Sequence, residues 1–168
     1  MFPLRLPASR APAAPDGRFV AASFAGAALA IGACGLLSQY SGSPWLMAPF
    51  GASCVLVFGL PDSPLAQPRH VVGGHLLAAL SGLLWLWLAG PVWWSAALAV
   101  ALALALMQLA RAVHPPAGAT PLVVLASGAS WHFLLTPVLS GALVIVALAP
   151  VFAALWTRLG SRQPSTPA

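Results

Sequence analysis

The stretch HPPAGATPL, residues 114–122, sets a histidine, a proline pair and a small-residue turn between apolar runs long enough to span a bilayer. Proline lacks a backbone donor and disfavours helical geometry at the residue before it, so no helix interior accommodates this string. Inside a membrane, irregular backbone is tolerated only where protein buries it or where it lines a cavity. The stretch therefore marks a candidate binding site.

Outward from it, six apolar elements cover residues 19–40, 44–60, 70–89, 92–113, 115–128 and 133–156. The first, third, fourth and sixth have about 20 residues or more, enough to cross ~30 Å of hydrocarbon. The second and fifth are shorter and contain prolines. Apolar residues make up 60% of the chain and charged ones 5%, with a mean hydropathy of +0.92. A soluble domain carries roughly 25% charged residues, so the composition is that of a polytopic membrane protein. Residues 1–17 and 158–168 read as disordered cytoplasmic tails around a transmembrane domain, 18–157. Cys34 and Cys54 fall inside spans, which argues against a disulfide framework.

The two short elements resemble each other. PFGASCVLV (49–57) aligns with PAGATPLVV (116–124) at a fixed offset of 67 residues, Gly51 onto Gly118. The same offset carries Val71, Gly73 and Gly74 onto Val138, Ser140 and Gly141, whereas the first elements of the two halves show no convincing match. Three elements per half make each half odd in crossings, so the second half is inverted. The predicted fold is an all-α membrane protein of six membrane elements in a 3+3 inverted repeat. Elements 2 and 5 are broken, each an extended segment (45–50 and 115–118) followed by a half-helix beginning near 51–53 and 118–120. Short, Gly/Pro-interrupted segments at corresponding positions of inverted repeats point to a transporter's site.

Charge placement bears on topology. The chain has seven arginines, no lysine, and only Asp16 and Asp62 as acids. If all six elements cross, every arginine falls on one side, and the positive-inside rule then makes both termini cytoplasmic. The high pI of about 11.3 has no arginine run or basic helix face behind it, so no nucleic-acid partner is expected.

A helix N-terminus offers unpaired N–H groups and about half a positive charge. Two of them facing each other near the midplane, with the Ser53 and Thr120 hydroxyls in their first turns, would suit an anion. Glycines at 51 and 118 would let it approach the backbone. No acid lies within a span, whereas a cation path normally shows one; carbonyl coordination of a cation stays open. The expected binding residues are Pro49, Gly51, Ala52, Ser53, Pro116, Gly118, Ala119 and Thr120. Ser53 and Thr120 could equally be plain helix caps, and the prolines read as structural.

Arg69, His75, Arg111 and His114 are expected to serve approach and gating. His114 titrates ordinarily near about pH 6.5, which suits proton relay or anion steering, though it could simply hold its turn through a backbone hydrogen bond. His75, after Gly73 and Gly74 inside a span, is expected to face the bundle interior, and His132, at an external edge beside Trp131, to be interfacial. The histidine spacings match no metal-ligand pattern, so no metal site is predicted. Gly74, Ala78 and Gly82 form a small-residue ridge suited to close packing or oligomerisation. No nucleophile–base pair, phosphate-binding loop or cofactor fingerprint is evident, so neither an enzyme nor a cofactor is expected.

HPPAGAT, together with APFGASCVLVFGLPDSPLAQPRHVVGGHLLAALSG (48–82), resembles the HPP family of small integral membrane proteins over about residues 20–157. The matching motifs are His114, Pro115 and Pro116; Pro49, Gly51, Ala52 and Ser53; and Gln67, Pro68, Arg69 with Gly73, Gly74 and His75. Plastid and cyanobacterial members are described as nitrite transporters, so the resemblance implies transport of a small inorganic anion, nitrite among the candidates. Some bacterial members carry an appended regulatory module, which is not expected here. The setting expected is the cytoplasmic (inner) membrane of a bacterium, with a homo-oligomeric assembly in the lipid bilayer. Channel, uniporter and proton-coupled carrier stay open, and a non-transporting membrane scaffold is the alternative.

Overall fold

Asp16 starts the first helix: its Oδ1 accepts the Phe19 N–H at 2.7 Å, and helix α1 runs Gly17–Ser41. The computed structural model describes residues 14–158; most of both expected tails lies outside the described residues. Helix α1 buries Phe19, Ala22, Gly26, Ala30 and Cys34, a stripe at helical spacing, and ends at Gly42 in the left-handed region (φ 69°).

Helix α2 spans Ala48–Gly59. The extended segment expected through residue 50 therefore stops earlier. Pro49 occupies the opening turn, where a missing N–H leaves nothing unpaired and the fixed φ suits a helix. At the far end, Ser23 of α1 donates to the Phe58 carbonyl at 2.8 Å, pinning α1 to α2. A loop with one 3-10 turn, Pro64–Ala66, leads to α3 (Pro68–Ala89). The turn into α4 (Trp93–Leu109) is closed by Ser95, whose Oγ accepts from Val92 N–H and donates to the Gly90 carbonyl.

Helix α4 ends in a Schellman arrangement. Arg111 N–H donates to the Gln108 carbonyl and Ala112 N–H to the Met107 carbonyl, with Arg111 itself left-handed at φ 51°. Extended His114 follows, then a 3-10 turn, Pro115–Ala119, where the sequence suggested extended chain, then α5 (Thr120–Ser127). The proline pair opens that turn as Pro49 opens α2. The final element is interrupted too: residues 131–139 form irregular helical turns broken at Thr136 (φ −134°, ψ 115°), and α6 runs Ser140–Arg158. A single span over 133–156 was expected; Pro137, which lacks the donor a regular ladder needs, sits at the break.

Helix α3 is the hub, packed on α4, α5 and α6, while α1 packs on α2 and α6. Its Gly74, Ala78 and Gly82 ridge is used within the chain. A Cβ at Gly74 would lie 2.6 Å from the His114 Cβ, and one at Gly82 would lie 2.9 Å from the Pro121 Cα. The main core joins Phe19, Phe50, Phe58, Val71, Val124, Ile145 and Phe152.

The surface inverts the soluble pattern. Phe24 (77%), Val55 (70%) and Trp93 (84%) are among the most exposed side chains, while Ser53, His75, Ser81, Ser95, His114 and Thr120 are buried. Three helical stretches (Gly17–Ser41, Pro68–Ala89, Trp131–Arg158) are long and apolar enough to cross a membrane, with shorter apolar helices at Ala48–Gly59 and Trp93–Leu109. The chain is a multi-pass integral membrane protein.

Candidate functional site

Four side chains from different elements meet in the interior: Ser53 of α2, His75 of α3, His114 before the 3-10 turn, and Thr120 opening α5. None has measurable exposure. Ser53 Oγ lies 2.8 Å from Nε2 of His75 and 2.8 Å from Nε2 of His114. His75 Nδ1 lies 2.9 Å from Thr120 Oγ1, and His114 Nδ1 lies 2.9 Å from the Leu65 carbonyl oxygen. Ser53 Oγ is also 3.0 Å from the Pro49 carbonyl one turn back. Phe50 stands edge-on to His75, ring centroids 5.2 Å apart.

Donor counting orients this chain. The Leu65 carbonyl can only accept, so His114 carries its proton on Nδ1 and, when neutral, accepts at Nε2. Ser53 then donates its single hydrogen to His114 Nε2. With that hydrogen used, His75 Nε2–H donates to Ser53 Oγ, and His75 Nδ1 accepts from the Thr120 hydroxyl. The result is one polarity from Thr120 through His75, Ser53 and His114 to Leu65, with every side-chain group satisfied.

The close approach has a sequence cause. Glycine at 74 lets the backbone carrying His114 lie against α3, which a side chain would prevent. One turn towards the N-terminus of α3, His70 Nδ1 donates to the Val113 carbonyl at 2.8 Å, and Arg69 donates to the Ala110 carbonyl at 2.7 Å. These bonds hold the 110–114 segment along α3.

Of the expected binding residues, Pro49, Ser53 and Thr120 converge here. The two hydroxyls bond side chains across helices; neither caps its own helix. Gly51, Pro116 and Gly118 are half-buried, and Ala52 and Ala119 are exposed. A Cβ built at Gly51 or Gly118 meets nothing within 4 Å, so both turns present an open side. Of the expected approach residues, His75 and His114 lie at the centre, while Arg69 and Arg111 are exposed at the rim. Sequence reasoning missed the Leu65 carbonyl and the direct Ser–His contacts. A histidine after Gly-Gly in an apolar span was the available signal.

A Ser–His contact is also the heart of a hydrolase triad. Here Ser53 is inaccessible, and the acids among the described residues, Asp16 and Asp62, are both exposed. The arrangement fits a hydrogen-bonded relay better than a nucleophile.

The chain is similar to two Dictyostelium discoideum proteins whose names say only that they are transmembrane proteins. One is 40% identical over 114 residues, covering 63% of this chain and 40% of the relative. The other is 38% identical over 113 residues, covering 62% and 36%. The chain thus matches about two-fifths of the length of these curated relatives. No solved structure matches. The model of the HPP transmembrane region matches residues 12–163, nearly the whole chain, and spans all four residues of the buried relay. The protein belongs to the HPP transmembrane family.

Proposed function

We propose that the protein carries a small inorganic anion, nitrite among the candidates, across a bacterial cytoplasmic membrane. The observation that carries this reading is the convergence of Ser53 and Thr120, the hydroxyls of the two P-x-G-A-[S/T] motifs, on His75. The motifs come from separate halves of the chain, and their meeting puts the start of α2 and the turn before α5 in one place. The anion's path runs along the open side formed by Gly51, Ala52, Gly118 and Ala119, beside the relay. Hydrocarbon cannot face an ion there, so a second copy of the chain covers that side.

Element bounds support the 3+3 inverted repeat. At the 67-residue offset, the α2 start at Ala48 falls on Pro115, where the 3-10 turn begins, and its end at Gly59 falls one residue short of Ser127. Glycines at the corresponding positions 74 and 141 each press on the opening turn of the other half's short element, at His114 and Phe50. An inverted pair of short elements beside a polar cluster is the pattern of a midplane transport site. Six crossings then place both termini in the cytoplasm, with Arg18, Arg69, Arg111 and Arg158 on that side.

The test is anion uptake into proteoliposomes. Nitrite or nitrate flux that Gly118→Leu abolishes, with the oligomeric state unchanged, supports the reading, because within one chain a side chain at 118 meets open space and would occupy the path. Absence of flux for any small anion, with folded protein in the vesicles, overturns it in favour of a membrane scaffold.

A further inference from the structure

The buried relay has one more acceptor than its neutral state uses. Ser53 has one hydrogen and two acceptors within reach: His114 Nε2 at 2.8 Å and the Pro49 carbonyl at 3.0 Å. In the neutral chain the hydrogen points to His114. If a proton from water binds His114 Nε2, the new N–H donates to Ser53 Oγ, and the Ser53 hydrogen swings to the Pro49 carbonyl. His75 keeps donating to the second lone pair of Ser53, and His114 Nδ1–H keeps donating to Leu65. One O–H bond of the hydronium that delivers the proton breaks and releases water, one N–H bond forms, no covalent bond of the protein breaks, and all groups stay hydrogen-bonded in both states.

The fold also makes such a proton useful. An anion inside a membrane needs a compensating charge, because a lone ion of either sign is costly there. The chain has no lysine, and the arginines among the described residues, Arg18, Arg69, Arg111 and Arg158, are all exposed. Around His114, the titratable and charged groups on packed elements are Cys54 on α2, His75, His70 and Arg69 on α3, Arg111 in the adjoining turn and Asp62 in the α2–α3 loop. Of these, only the two relay histidines are buried and able to become cations.

We infer that His114, with Ser53 as its pivot, is a proton-binding site that loads one proton with each transported anion, so that the protein is an anion–proton symporter. This rests on the transport reading above, and the experiment separates the two.

The experiment uses the full chain in proteoliposomes containing a pH-sensitive dye, with nitrite and nitrate as the probes and protein-free vesicles as the background for passive acid entry. The expected result is one proton entering per anion, with uptake driven by an inward proton gradient and unaffected by a clamped membrane potential. In His114→Gln, whose amide can still donate to Ser53, the coupling ratio falls at least tenfold or uptake is lost, while the melting temperature stays within a few degrees. Anion uptake without proton movement in the native protein, driven by membrane potential, overturns the symport and leaves transport standing. A one-to-one ratio kept in His114→Gln overturns His114 as the proton-binding site. No uptake of either anion overturns both readings.

Discussion

Replacing Ser53 by alanine removes a single oxygen and strands two buried rings. His75 Nε2–H loses its acceptor and His114 Nε2 loses its donor, because both bond the same Oγ at 2.8 Å. Leaving a buried polar group unsatisfied costs about 1–3 kcal/mol, so the two together come to about 2–6 kcal/mol. A buried single-contact serine gives the comparison. Ser81 Oγ donates to the Ala99 carbonyl at 2.7 Å, tying α3 to α4, and that carbonyl lies inside a helix. An interhelical side-chain bond in a membrane protein averages about 0.6 kcal/mol, so Ser81→Ala should cost under about 1 kcal/mol. Equilibrium unfolding of both variants in mixed lipid–detergent micelles measures the difference. A Ser53→Ala cost no larger than that of Ser81→Ala would refute the claim that Ser53 satisfies both histidines.

Gly141→Ala drives a methyl into the Phe50 ring and should destabilise by about 1–3 kcal/mol. Gly51→Ala and Gly118→Ala, which meet open space, should stay within about 0.5 kcal/mol of the native protein; comparative thermal melts in detergent check all three. Arg111→Gly relieves a left-handed residue at φ 51°. The left-handed conformation costs roughly 1–2 kcal/mol, partly offset by the greater unfolded freedom of glycine, about 0.5–1 kcal/mol. A net gain of about 0.5–1 kcal/mol is expected, and a destabilised variant would show that the Arg111 side chain contributes more than its backbone costs.

Much of the frame was legible because it depends on local rules. Apolar runs, the proline pair at 115–116 and the recurring P-x-G-A-[S/T] motif led to the elements and to Ser53 and Thr120. The detail of the breaks was not, because proline is compatible with two outcomes. It forbids a helix interior yet favours a first turn, and Pro49, Pro115 and Pro116 all took the first-turn role. Glycine carried the same ambiguity. Gly51 and Gly118 were read as letting an ion approach the backbone and have open space beside them, whereas Gly26, Gly74, Gly82 and Gly141 serve the other use of a missing side chain, close contact with another element. The relay itself depends on side-chain directions across three helices and a loop, and no spacing in one chain encodes that Ser53 and Thr120 share a histidine. The Leu65 carbonyl leaves no sequence signature at all.

Both functional readings stand on His75 and His114 forming one chain of hydrogen bonds of a single direction. Nitrogen-15 NMR of the imidazole rings in the membrane-embedded protein, assigned with His75→Gln and His114→Gln, tests this most directly. At neutral pH the two rings should occupy opposite tautomers: His114 protonated at Nδ1 and bare at Nε2, His75 protonated at Nε2 and bare at Nδ1. Both rings in the same tautomer, or both averaging like solvent-exposed imidazoles, would contradict the relay.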